Sequence, residues 1–460
     1  MDSGSDQTRL APLFWLALGL AAITAAAAIL TARDLAYDGS HYLLGVASHG
    51  SFVLFERARL ASQILQQGFA VAGARLGIRD LWTLGVLFSL GASAWPVILT
   101  ALCWFALPRD KKSWIAGPLV NLVFAIPATN FIGIGEGIIA SCLLWFAFLL
   151  IEFRSRTALG AIACVIATAA CAFAHEAAIL CLLVISLAAA RRISASKGFV
   201  RVGLFLVAAI ALAGAGNMAR LIIVPRSVVE RSDFLVSMLG GFFGTPFAPN
   251  IPVLASVVAA AGCLLALLLK GRRARVVAIA AIAIVAILFV LLVDDPGQMI
   301  APSRYFAARG LPVALTTLLT ALLLLLGRRG LTPAHFATPP VIAIVLSLAI
   351  GQSAAQLAMT AEWADYVRAL RGFVSTETGI VSHAEAMRRL DPDGARFRRE
   401  LLEGWTVEPL SLLLAPGGRV RAIVEPSPKE RWVPYDPSNP SSLPQVPGLD
   451  YSGFVPRPAR

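Results

Sequence analysis

The sequence predicts an all-α polytopic membrane protein with about eleven transmembrane helices and a small C-terminal α+β extracytoplasmic domain. Three observations predict this fold class. The chain is 58% hydrophobic and only 14% charged, and its mean hydropathy is +0.76. Apolar runs of about 20 residues, the length of helix that crosses a bilayer, recur along it. These runs stop near residue 358, which predicts a membrane domain over 1–358 and a separate unit over 359–460.

Eleven apolar segments qualify as spans. They are residues 10–32, 81–107, 113–129, 136–152, 157–174, 177–190, 199–224, 251–270, 276–293, 310–327 and 337–358. Only His175 and Glu176 separate the fifth segment from the sixth, so these two can also be read as one span. Two tightly turned helices are favoured, because a single span would place every later arginine cluster on the opposite side of the membrane.

The basic residues alternate with the spans. The breaks after the even-numbered spans hold fifteen Lys and Arg residues and two acids, Asp110 and Glu152, so their net charge is +13. The whole chain has a net charge of +12, so the rest of the chain sums to −1. This is the positive-inside pattern, which places the N-terminus in the cytoplasm and, with an odd number of spans, the C-terminus outside. The expected location is the inner (plasma) membrane of a bacterium. The net charge therefore carries no argument for nucleic-acid binding.

The first outer loop, residues 33–80, carries a cluster of polar residues directly after the first span. Residues 55–78 mix apolar with basic and amide side chains in a pattern typical of a helix lying at the membrane interface. Three further polar zones fall on the predicted outer face, and all four are expected to converge on one cavity mouth. They are Asn130–Gly137 with Glu136, the pair His175-Glu176, and a group comprising Arg220, Arg226, Glu230, Arg231, Asp233, Asp294, Asp295, Arg304 and Tyr305.

The segment Asp38-Gly39-Ser40-His41-Tyr42-Leu43-Leu44, followed by a predicted interfacial helix, resembles the first outer loop of GT-C glycosyltransferases. Arg304-Tyr305 likewise resembles the Arg-Tyr opening of a late helix in bacterial branches of that superfamily. The resemblance implies transfer of a sugar from a polyprenyl-phosphate carrier to an envelope glycan, lipid or protein. Tyr37 stands where the family has its first acid, so Asp38 is the one matching carboxylate and the sequence does not predict a two-acid metal site. Binding of a divalent cation is left as an alternative, and no other cofactor is predicted.

Asp38 is the candidate catalytic base, because a carboxylate beside low-dielectric lipid has a raised pKa and accepts protons more readily. Capping of the following helix is its alternative role. Arg304, then Arg220 and Arg226, are candidates for binding the departing phosphate, since guanidinium matches phosphate oxygens in a bidentate way. Snorkelling or pairing with nearby acids is the alternative for each arginine.

Seven residues are candidates for acceptor binding or auxiliary roles. They are Glu136, His175, Glu176, Asp34, His41, Tyr42 and Tyr305. For Asp34, a salt bridge to Arg33 or helix capping is the favoured alternative. Glu136 and Glu176 can instead belong to polar hairpin turns, His41 can form an ordinary surface hydrogen bond, and Tyr305 can belong to the interfacial aromatic belt.

Three function classes remain after this reading. An inverting lipid-linked-sugar glycosyltransferase accounts for the acidic outer loop, the interfacial helix and the arginines together. A multi-pass transporter or flippase of envelope lipids or glycans is the main alternative, although it predicts internal repeats and ionisable residues near mid-membrane that the sequence does not show. A non-enzymatic assembly protein is the third.

The unit after residue 358 begins with a predicted helix at Glu362 that leaves the membrane. Two strand-like runs, Leu410–Leu414 and Arg419–Val424, flank a turn at Pro416-Gly417-Gly418. A proline-rich arm runs from Trp432 to Arg460.

Overall fold

The computed structural model of the chain describes most of its length. The described residues are 3–36, 38–54, 57–126, 135–223, 244–245, 248–249, 251–269, 271–294, 302–326, 337–393, 404–425, 443–452 and 454. For residues 3–9, 222–223, 244–249, 292–294, 302–310, 326 and 404–406, the backbone alone is considered.

Fifteen α-helices make up nearly all of the described chain. They are α1 (Ser3–Leu30), α2 (Asp38–His49), α3 (Leu60–Arg75), α4 (Leu81–Ala106), α5 (Ala116–Val120), α6 (Glu136–Phe153), α7 (Ala158–Cys171), α8 (Ile179–Ile193), α9 (Gly198–Ile223), α10 (Ile251–Leu268), α11 (Gly271–Asp294), α12 (Pro302–Leu326), α13 (Pro339–Thr376), α14 (His383–Leu390) and α15 (Gly404–Leu413). Four short strands are β1 (Gly244–Thr245), β2 (Ala248–Pro249), β3 (Gly379–Ser382) and β4 (Ala422–Glu425).

Among the described residues, seven helices are long and apolar enough to cross a bilayer, which makes this a multi-pass membrane protein. These lie in α1, α4, α6, α9, α10, α11 and α13. Two shorter apolar helices, Ala158–Cys171 and Leu311–Leu325, coincide with two more predicted spans. The predicted span 113–129 is interrupted: a 3-10 stretch Arg109–Ile115 leads into the five-residue α5 and then a π-helix, Asn121–Ala125.

The prediction of two helices around His175 and Glu176 is confirmed. Helix α7 ends at Cys171, and α8 begins at Ile179 after the short 3-10 turn Glu176–Ala178. Each helix packs separately against α6 and α9. The hairpin therefore brings the His-Glu pair to one end of the bundle.

Interhelical contacts bring several basic breaks together at one end of the bundle, which we call the basic end. There the Arg154 guanidinium donates to Phe105 and Ala106 carbonyl oxygens at the end of α4, at 2.8 Å each. Arg192 of α8 pairs with Glu152 of α6 at 2.7 Å. The starts of α6 and α8 lie at the opposite end, which we call the carboxylate end because Glu136 and Glu176 stand there.

Helix α13 runs unbroken through residue 358 and includes the helix predicted from Glu362, and Trp363 donates from Nε1 to the Thr31 carbonyl oxygen at 3.1 Å. The predicted strand Leu410–Leu414 is wrong, because residues up to Leu413 belong to α15. An unbroken apolar run does not distinguish a buried strand from a buried helix; here it packs as a helix against α2 and β4.

The strand that forms nearby is β4, and its partner comes from elsewhere in the chain. It pairs in parallel with β3, from Gly379 opposite Ala422 to Ser382 opposite Glu425. The turn at Pro416–Gly418 is present, with Gly417 and Gly418 both at positive φ. Of the proline-rich arm, residues 443–452 and 454 are described, while 426–442 fall outside the described residues.

Candidate functional site

Helix α3 turns its polar face into the protein. Gln63, Gln66 and Gln67 are buried, while Ile64 and Phe69 are exposed on the outer side. The predicted helix within 55–78 is present, but its amides do not face water as an interfacial helix would direct them. Because buried amides need hydrogen-bond partners, this face is committed to contacts with α2, α4 and α6.

Arg59, at the start of α3, joins two carboxylates that are distant in sequence. Its Nη1 lies 2.8 Å from Glu136 Oε2, and its Nε donates to Glu176 Oε2 at 2.8 Å while Nη2 contacts Glu176 Oε1. The Glu136 side chain is 2% exposed and the Arg59 side chain 20%. The guanidinium therefore forms a bidentate, charge-assisted pair with Glu176 and a second bond to Glu136.

Burial raises the pKa of Glu176, but the attraction of His175 and the charge and hydrogen bonds of Arg59 outweigh burial and lower that pKa to about 2. His175 accepts a hydrogen bond from the Ala177 N–H at its Nδ1, at 3.1 Å. The same Nδ1 lies 3.7 Å from Glu176 Oε2. Glu176 is thus held ionised beside a guanidinium throughout the neutral range.

Gln63 extends this cluster to α2. Its Nε2 donates to Glu136 Oε1 at 3.2 Å and to the Tyr42 hydroxyl at 3.0 Å. The backbone N–H of Ala61 donates to the carbonyl of Phe173 at 2.8 Å, which closes α3 against the α7–α8 hairpin. We call Tyr42, Arg59, Gln63, Glu136 and Glu176 the outer cluster. Three of the four predicted polar zones therefore meet.

Asp34 is buried in the 3-10 turn Arg33–Leu35 and belongs to a second polar cluster. Ser93 Oγ donates to Asp34 Oδ2 at 2.8 Å. Burial raises its pKa to about 6, against the lowering effects of Arg33 and of hydrogen bonds from Ser93 and Ser89. The carboxylate accepts from α4, so the expected capping role is replaced by an interhelical contact.

Arg33 is fully buried beside Asp34. Its Nη1 donates to Gln356 Oε1 at 3.1 Å and to Thr360 Oγ1 at 2.7 Å, both on α13. Burial lowers the pKa of this guanidinium, and the field of Asp34 opposes that effect. An uncompensated buried charge costs several kcal/mol, roughly 3–5 when a partner is removed, so the two side chains depend on these contacts.

Asp38 is the first residue of α2 and is half-buried, one turn from Asp34. The backbone of Gly39 lies against the backbone of Asp34, since a Cβ built on Gly39 would lie 1.7 Å from the Asp34 carbonyl oxygen. Only glycine fits this approach. His41 follows on α2, and burial lowers its pKa.

The arginine-rich fourth zone falls largely outside the described residues. Arg220 is exposed in the last turn of α9, and Arg226 lies outside the described residues. Arg304 and Tyr305 lie on α12, but their side chains are outside the described set. Since Arg191 of α8 donates to Leu324 O near the end of α12 at 3.4 Å, the start of α12 points toward the carboxylate end.

A divalent cation does not fit the outer cluster. Both oxygens of Glu136 and both of Glu176 already accept from Arg59 or Gln63. Within the described part of the chain, no group of three or more His, Cys, Asp or Glu residues is arranged to hold a metal ion. The cation at this site is the guanidinium itself.

Sequence reasoning did not single out Arg59, Gln63 or Ser93. Arg59 and Gln63 were assigned to the polar face of an interfacial helix, and Ser93 lies inside a predicted span. The available signal is weak: three glutamines and a serine recur at helical spacing in Ser62–Gln67, shortly after Arg57 and Arg59. A polar helix face of this kind is compatible with exposure to water and with burial against polar groups of the protein, so the pattern does not distinguish the two.

Comparison of the chain with protein-family models, with curated proteins and with solved structures gave no match.

Proposed function

We propose that this protein is an inverting membrane glycosyltransferase that moves a sugar from a polyprenyl-phosphate carrier to an acceptor in the cell envelope. The observation that carries the proposal is the assembly at the carboxylate end, where Arg59 binds Glu136 and Glu176. There Gln63 also joins Glu136 to Tyr42, on the helix that begins at Asp38. Buried ionisable groups in a membrane protein point to a functional site.

In this proposal Asp38 acts as the base and the outer cluster positions the first loop. Asp38 takes the proton of the acceptor hydroxyl, and the oxygen attacks the anomeric carbon. The bond from that carbon to the phosphate oxygen breaks, polyprenyl phosphate leaves, and the configuration inverts. Since Arg59 engages both Glu136 and Glu176, these two carboxylates hold α3 in place.

Arg304, with Arg220 and Arg226, is proposed to stabilise the negative charge on the departing phosphate. The direction of the two helices supports this assignment, because α12 begins toward the carboxylate end and α9 runs from the basic end toward it. The basic end is proposed to face the cytoplasm of a bacterial inner membrane, with eleven spans and the C-terminal unit outside.

The test is sugar transfer by purified protein in nanodiscs, using radiolabelled polyprenyl-phosphate monosaccharides and membrane extracts as acceptors. Wild type is expected to transfer sugar from at least one donor, and Asp38→Asn to lose about 10²–10⁴-fold of that rate. Asp365→Asn is the matched control, because Asp365 lies on the exposed part of α13 in a pair with Arg368. Its rate is expected to equal that of wild type.

Two outcomes would contradict the proposal. Equal transfer by Asp38→Asn and wild type would move the base to another carboxyl, with Asp34 next in line. No transfer from any donor by folded wild type would overturn the enzyme reading and favour a transporter or flippase, for which polar groups inside the bundle are expected.

A further inference from the structure

A cavity of about 40 Å³ lies between α1, α4, the π-helix and α13, on the membrane side of Asp34. Most of its wall is apolar. Its polar lining residues are Thr24 on α1, Ser93 on α4, and Gln352, Ser353 and Gln356 on α13. Since glutamines inside a membrane bundle are costly, their concentration around one cavity calls for a physical cause.

The hydrogen bonds of this lining lead directly to the Arg33–Asp34 pair. Ser93 donates to the Asp34 carboxylate at 2.8 Å, and Gln356 accepts from Arg33 at 3.1 Å. One wall of the cavity is thus in direct hydrogen-bond contact with both buried charges. A change in hydration of the cavity acts on Asp34 through one intervening hydroxyl.

Gln352 also lines this cavity. Its Nε2 donates weakly, at 3.4 Å, to Ser256 Oγ, and Ser256 in turn donates to the Phe124 carbonyl of the π-helix at 2.9 Å. Its Oε1 is buried and accepts no hydrogen bond within the described part of the chain. A buried oxygen without a hydrogen-bond donor is unfavourable, because it has lost its contacts with water.

Water is the ligand that fits this site by size and chemistry. A buried water needs roughly 10–15 Å³ of this volume, so the cavity has room for about three molecules. Each water needs two to four polar partners, which the polar lining groups and neighbouring waters supply together. Displacement by an apolar group would leave Gln352 Oε1 unsatisfied.

We propose that this cavity is an internal-water site through which the Asp34 carboxyl exchanges its proton. In the uptake step a hydronium in the cavity gives a proton to Ser93 Oγ and becomes water. Ser93 simultaneously passes its own hydroxyl proton to Asp34 Oδ2, so the hydroxyl is regenerated and the carboxylate becomes a carboxylic acid. Release runs the same transfers in reverse.

Asp34 is the group beside the cavity that can gain and lose a proton near neutral pH, because its neighbours are a guanidinium, two serines and a neutral amide. Arg33 is the adjacent charge, Ser89 and Ser93 approach from α4, and neutral Gln356 comes from α13. On α2, Asp38 and His41 stand one and two turns further along the chain. A pKa of about 6 for Asp34 supports the proposal, because the proton then comes and goes near neutral pH.

The experiment is infrared spectroscopy of the full-length protein in nanodiscs, following the carboxylic-acid C=O band after transfer from H₂O to D₂O near pH 6. Asp34→Asn is expected to remove a pH-dependent band. Ala25→Leu fills the cavity from α1 and is expected to slow the deuterium shift of that band about tenfold or more, a barrier increase of about 1.4 kcal/mol. Ala26→Leu, the same change on the exposed face of α1, should leave the rate unchanged.

Gln352→Leu supplies a second test that does not depend on Ala25. It removes the unsatisfied amide oxygen and is also expected to slow the exchange. Equal exchange in wild type, Ala25→Leu and Gln352→Leu would overturn the water site, and so would the absence of any band lost in Asp34→Asn. These readouts need no sugar transfer, so they can fail or succeed independently of the proposed activity.

Discussion

Replacing Arg59 with Met is expected to destabilise the carboxylate end more than any exposed ion-pair change. Methionine keeps an unbranched apolar stem but removes the charge that holds Glu136 and Glu176. Both oxygens of Glu176, and Oε2 of Glu136, lose their donor. Helix α3 would then be joined to the α7–α8 hairpin mainly by backbone and serine contacts.

The size of the effect follows from burial. Removing one partner of a buried ion pair costs about 3–5 kcal/mol. The pKa of Glu176, lowered from 4.5 to about 2 by His175 and Arg59 against its burial, points in the same direction. Because the folded-state pKa is depressed, this stability is present above pH 4.5 and is lost as pH falls toward 2.

The assay is unfolding in mild detergent followed by intrinsic tryptophan fluorescence. Arg59→Met is expected to lose about 3 kcal/mol at neutral pH, and Glu176→Gln to cost much less in the Arg59→Met background than alone. Arg368→Met is the control. Its pair with Asp365 is exposed and is expected to contribute less than about 1 kcal/mol.

If Arg59→Met lowers the free energy of unfolding by less than about 1 kcal/mol, the Arg59 contacts contribute no more than an exposed ion pair. That result would refute the strong stabilisation predicted for the outer cluster. Additive costs for the two substitutions would refute it as well. In that case Glu176 would not depend on Arg59 for its ionised state.

Two further predictions concern the contacts around Asp34. Gly39→Ala is expected to lower the free energy of unfolding by at least about 1–3 kcal/mol, because the new Cβ would lie 1.7 Å from the Asp34 carbonyl oxygen. Gly68→Ala on α3 places its Cβ in open space and should raise the free energy of unfolding by about 0.5–1 kcal/mol. Thermal unfolding of the pair measures this difference, and equal shifts would show that the close approach is absent. Trp363→Phe removes the hydrogen bond to Thr31 O and should lose about 1 kcal/mol by the same assay; an unchanged midpoint would mean that α13 does not depend on this contact.

The periodicity and charge pattern of the chain predicted its membrane character because both depend on local sequence. Apolar runs of bilayer length identify spans without knowledge of their neighbours. The division at His175 was also predicted correctly, since the positive-inside rule counts spans. The broken segment around the π-helix Asn121–Ala125 was not predicted, because a π-helix has the same apolar composition as an α-helix.

The sequence predicted which polar segments meet at the site, but it did not predict which side chains pair there. Glu136 and Glu176 were both candidates, but which cation joins them depends on where α3 docks. Arg59 is 77 residues from Glu136 and 117 from Glu176. Asp34 interacts locally with Arg33, as expected, but it also accepts a hydrogen bond from Ser93 on the next long helix, which the sequence does not predict. Long-range docking of this kind leaves no periodic signal in one sequence.

The measurement that tests the account most directly is the stoichiometry of the reaction under single-turnover conditions. Purified wild type would be mixed with one polyprenyl-phosphate sugar and an acceptor, and mass spectrometry would quantify both products. The proposed sugar transfer predicts one polyprenyl phosphate released for each sugar transferred. Movement of the intact donor across a proteoliposome membrane without either product would contradict it.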